Sequence, residues 1–137
     1  MIQASLAWLK GIGRQVLRAF GLGPKALPLD WGKTVFPVQD RAPIDALWWT
    51  QHAIVTSRGT AAAYADPSGL RYGVYQGDRF PDGSPHWGKY WAHSRVIVVL
   101  KAHEGNKALW SHEVRHDVLG TEDHPALYFH GSSLTLP

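Results

Sequence analysis

Ser111-His112-Glu113-Val114-Arg115-His116-Asp117 lies within Lys107 to Leu119, a stretch that reads as an α-helix stopped by Gly120. Just upstream, Arg95-Val96-Ile97-Val98-Val99-Leu100-Lys101 is a short β-branched run between polar residues, the pattern of a strand covered on both faces. Ala102 to Asn106 turns the chain between them. A buried strand leading into a helix that carries His-Glu-x-x-His sets the frame for the rest of the chain.

Working outward, Leu70-Arg71-Tyr72-Gly73-Val74-Tyr75 alternates as a half-buried strand does, and Asp78 to His86, with Pro81-Asp82-Gly83, reads as a turn-rich loop. Ile44, Leu47, Trp48, Ile54 and Val55 recur at helical spacing from Pro43 to about Ser57, with Asp45 suited to the first turn and Gly59 to the stop. Residues 21–43 hold four prolines and read as an extended connector with a short strand at Thr34-Val35-Phe36. At the start, Ile2, Leu6, Leu9, Gly13, Val16, Leu17 and Phe20 fall on one helical face, with Lys10, Arg14 and Arg18 on another. The expected division is an amphipathic N-terminal helix over 1–22, a Pro/Gly-rich connector over 23–42 and a metal-binding domain over 43–137. The expected class is α+β: a small, mostly antiparallel sheet with two helices, plus the N-terminal helix.

The composition of the 137 residues narrows the chemistry. With no cysteine, thiolate-ligated metals, thiol nucleophiles and disulfides are excluded, leaving His, carboxylates, hydroxyls and amines. Six basic residues against two acidic ones in residues 1–41 contrast with eight against nine in residues 42–137. The body therefore has no basic excess to neutralise a phosphate backbone, and no nucleic acid partner is expected. The N-terminal helix suits a membrane surface or a protein partner, or packs on its own domain. No uncharged apolar run approaches the ~20 residues of a bilayer span, and no secretory-signal pattern is present.

Residues four apart on a helix stand one turn apart on nearly the same side, so His112 and His116 can both face one metal ion. Glu113 lies on the adjoining side, placed to hydrogen-bond a water there. Gly120 permits a sharp turn that returns Thr121-Glu122-Asp123-His124-Pro125 toward the helix. His124 is the first choice of third ligand, with Asp123 and Glu122 as rivals. Asp117 is read either as orienting a ligand imidazole or as a solvated charge, and His52 as a partly exposed histidine without a ligand role. Trp87 and Trp91 either line a groove or fill the core.

The segment from His112 to Pro125 resembles the active-site segment of the zincin metallopeptidases, most of all small bacterial zincins with a His-Pro soon after the helix. In metzincins the third His follows in a shorter frame. Gly120, Thr121 and Asp123 are similar to the aspzincin pattern, which keeps Asp123 open as a ligand. The resemblance implies a zinc ion, a peptide or protein substrate and a polarised water attacking the peptide carbonyl, with Glu113 as general base and then proton donor. It also implies a sheet beside the cleft whose edge, expected at Leu70 to Tyr75, pairs with an extended substrate. Tyr128, His130, His103 and His93 are the candidate oxyanion donors, and Tyr128 is the catalytic choice among them. The rival readings are a non-catalytic zincin-like adaptor of a larger assembly, and metal storage or sensing.

Overall fold

The computed structural model describes residues 27–129, so the expected N-terminal helix and His130 lie outside the described residues. The elements are β1 (Val35–Pro37), α1 (Ala42–Ser57), β2 (Arg71–Tyr75), β3 (Gly88–Trp91), β4 (Val96–Leu100), a 3₁₀ turn over Lys101–His103, and α2 (Lys107–Leu119). They form one four-stranded mixed sheet in the order β1-β2-β4-β3, an α+β fold. The two outer pairings are antiparallel and the central one, β2 with β4, is parallel.

The uniformly apolar Val96–Leu100 strand is interior, buried at every position, as its composition predicts. One face of the sheet packs on α1 and α2 through Trp48, Val55, Tyr72, Ile97, Val99, Leu109, Val114 and Val118. The other buries Val35, Phe80, Val96, Val98 and Leu100 beneath Leu27, Leu29 and Trp31. The stretch read as a connector with a short strand supplies that strand and, beyond the expectation, part of a core. Gly73 makes room for it: a side-chain carbon there would stand 2.6 Å from both Trp31 and Val35.

Leu70 to Tyr75, expected at the edge, is instead enclosed between β1 and β4. The edges are β1 and β3, and they differ. At β1, the hydrogen bond from Val38 N to Tyr72 O sets the alternation that turns Val35 and Pro37 outward. Val35 N donates to Asp30 O, Val35 O accepts from Gly32 N, and Pro37 has no N–H to offer. At β3, Leu100 N donates to Trp87 O, so Trp87, Lys89 and Trp91 bond inward to β4 while Gly88, Tyr90 and Ala92 turn their amides outward. No sequence signal had marked residues 88–91 as a strand.

Among the described residues, no helix is long and apolar enough to cross a membrane.

Candidate metal centre

Helix α2 begins at Asn106, whose side chain accepts from Leu109 N, and ends at Gly120 in the left-handed conformation (φ 73°). Gly120 N bonds back to His116 O and Asp117 O, and Thr121 N to His116 O, closing the helix and reversing the chain. A side-chain carbon on Gly120 would stand 2.7 Å from Ala63 Cβ, so glycine is required by space as well as by backbone angle. This reversal returns His124 to the helix.

His112, His116 and His124 meet there, each offering a ring nitrogen within 4.8 Å of the others. Nε2 of His112 lies 3.3 Å from Nε2 of His116 and 3.2 Å from Nε2 of His124. Nitrogens ~2.0–2.1 Å from one tetrahedral ion stand about 3.3 Å apart, which both spacings from His112 match, so the three could hold a metal ion. His116 Nδ1 lies 2.9 Å from Thr121 O. A carbonyl only accepts, so the proton sits on Nδ1 and the Nε2 lone pair faces the other imidazoles. Burial, with the neighbouring His116 and His124, pushes His112 down to about 3. Burial likewise takes His116 down to about 4, against the opposing Thr121 hydrogen bond. Both are therefore neutral, as ligands must be, at ordinary pH.

The rival ligands are not part of this converging set. Glu122 Oε2 accepts from Ala92 N at 2.9 Å, and Asp123, exposed, is outside the cluster of converging ligand atoms.

Glu113 is buried beside the histidines and accepts no hydrogen bond from any described residue, and burial pushes its carboxyl up to about 8. Its carboxylate rests against Gly88 of β3, where a side-chain carbon would stand 3.2 Å from Oε2. His112, His116, His124, Glu113, Glu122 and residues 86–90 line one cavity of about 190 Å³.

Asp117 fits neither expectation. It is wholly buried and accepts from Trp48 Nε1 (2.9 Å), the Tyr90 hydroxyl (2.8 Å), and Arg95 Nε (3.0 Å) and Nη2 (2.7 Å), with no hydrogen bond to an imidazole among the described residues. It ties α2 to α1, β3 and the turn before β4. Arg95, which adopts φ 54°, also stacks its guanidinium 3.6 Å above the Tyr64 ring.

Tyr128 is not brought to the cavity: its hydroxyl bonds Thr60 Oγ1 and lies 3.4 Å from Val55 O, at the far end of α1. This is a structural placement, set by the Thr60 hydroxyl and the Val55 carbonyl beside the end of α1. His103 stacks on Trp87 with centroids 3.9 Å apart, and His93 is exposed outside the cavity lining. Trp87 lines the cavity, whereas Trp91 packs with Phe80 on the opposite face. His52, partly exposed, stacks on Trp48.

Sequence reasoning missed Gly88, His86 in the cavity wall, and Phe129. The Phe129 ring packs 4.6–4.9 Å from all three imidazoles. Arg115 holds that segment in place by donating to Tyr128 O at 2.7 Å and to Gln51 Oε1 at 2.7 Å.

No protein family, curated protein or solved structure matches the chain.

Proposed function

We propose that this chain is a zinc-dependent peptidase. The observation that carries the reading is the shared cavity: three converging imidazole nitrogens, an unpaired buried carboxyl and the outward amides of β3 meet at one place. Three imidazole nitrogens with room for a further ligand are the donor set of catalytic zinc. Bound zinc supplies Lewis acidity, polarising the carbonyl to be cleaved and acidifying the attacking water.

The chain's own groups do the rest. Glu113 accepts the proton of the attacking water at its carboxylate and returns it to the leaving amine. Gly88 and Tyr90 offer outward N–H and C=O groups with which an extended peptide continues the sheet. The absence of a side chain at Gly88 lets that peptide approach Glu113 closely.

Zinc per chain, measured by elemental analysis on His112→Ala, His124→Ala, Glu113→Gln and the unaltered protein, tests the reading together with a peptide-library cleavage assay. The expected result is near one zinc in the unaltered protein, loss in both histidine variants, and a Glu113→Gln protein that keeps zinc but cleaves nothing. Absence of zinc binding would overturn it. Zinc without cleavage would leave the adaptor reading.

A further inference from the structure

Glu122 stands at the end of the open edge, and its place follows from the β3 register. The outward amides run Gly88, Tyr90, Ala92. The first two meet no described partner, while the third donates to Glu122 Oε2 at 2.9 Å. An extended chain continuing the sheet therefore finds ladder partners at Gly88 and Tyr90 and is stopped at Ala92 by the glutamate. Gly88 marks the reacting end, because the Glu113 carboxylate rests on it. From Gly88 to Ala92 a strand advances about 13 Å, the length of about four extended residues.

The sign of the stop matters as much as its position. Glu122 is exposed, lines the same cavity as the histidines and forms no ion pair with any described residue. One carboxylate oxygen holds Ala92, and the other receives no hydrogen bond among the described residues. A peptide ending at this point in an ammonium group gains a charge-assisted hydrogen bond, whereas one ending in a carboxylate is repelled. A chain running past it must displace the Glu122–Ala92 bond.

We propose that Glu122 terminates the substrate groove and reads the free amino terminus of the peptide, so that cleavage falls within about four residues of that terminus. This rests on the peptidase reading and names its substrate class: peptides with an unblocked amino end held along β3.

The test pairs binding with turnover, using the full zinc-loaded chain. Matched peptides of one sequence carry a free amino terminus, an acetylated one, or five additional residues. Binding is followed on the Glu113→Gln protein through the amide resonances of Gly88 and Tyr90, and cleavage on the unaltered protein by mass mapping of products. The free peptide is expected to bind and to be cut at least about tenfold better than the acetylated one. Glu122→Gln, whose amide oxygen still accepts from Ala92, is expected to bring that ratio close to one. That outcome separates the charge from the loop anchor. Equal cleavage of free, acetylated and extended peptides would overturn the proposal and leave the peptidase intact, as would a preference unchanged in Glu122→Gln. Amino-terminal binding without cleavage would support the role of Glu122 and overturn the peptidase. No binding and no cleavage would overturn both.

Discussion

His116 donates from Nδ1 to the main-chain oxygen of Thr121 at 2.9 Å, so the residue just past the helix fixes which nitrogen its own last turn presents. That bond exists only because Gly120 reverses the chain between them, which makes ligand orientation depend on a backbone conformation that other residues adopt at a cost.

Gly120→Ala is therefore expected to destabilise the fold by about 1–3 kcal/mol, since it adds backbone strain and meets Ala63. It is also expected to weaken zinc binding beyond that of a distant variant matched for stability. Urea denaturation and a competitive zinc titration measure the two effects.

Asp117→Ala leaves the Arg95 guanidinium, the Tyr90 hydroxyl and the Trp48 indole without their shared acceptor. Removing one partner of a buried, hydrogen-bonded ion pair costs about 3–5 kcal/mol. Chemical denaturation should show this loss, whereas an effect near zero would contradict the buried network.

Gly88→Val is expected to leave zinc content unchanged and to lower peptide cleavage by about tenfold or more, because its side chain presses on Glu113 and on the path of the substrate. Metal analysis alongside steady-state rates checks both halves.

Stability in the presence of a chelator is expected to depend on pH in two directions. His112 and His116 hold folded values of about 3 and about 4, below their ordinary 6.5. Unfolded chains then bind more protons, so stability is full above 6.5 and is lost as pH falls toward 4. Glu113 runs the other way: at about 8 against 4.5, its contribution is present below 4.5 and lost as pH rises through 8. Glu113→Gln should remove the alkaline loss, gaining on the parent by at most about 1.4 kcal/mol per pH unit between 4.5 and 8. Thermal denaturation across that range reads the difference.

The helix with His112, Glu113 and His116, its glycine stop and the return of His124 were legible in the sequence, because helical spacing and a glycine reversal are local properties. So was the buried character of Val96–Leu100. Strand order was not: Arg71–Tyr75 alternates like an edge but is enclosed, since Gly73 admits Trp31 and Val35 from a distant stretch. Asp117 reads in sequence as orienting a ligand imidazole or as a solvated charge near the helix end, and only the folded chain brings Trp48, Tyr90 and Arg95 to it. The same holds for Tyr128, whose hydroxyl is taken by Thr60, and for Glu122, whose partner Ala92 is set by sheet register.

The sealing of β1 by Pro37 and the Asp30–Val35 turn limits how copies of this fold can associate. Among the described residues, β3 is the edge left for a second copy to extend, and once two β3 edges are paired these residues offer no further open edge. Through the described sheet, extension therefore halts at a dimer instead of growing into a fibre. Such a dimer would also occupy the outward amides of Gly88 and Tyr90 in both copies.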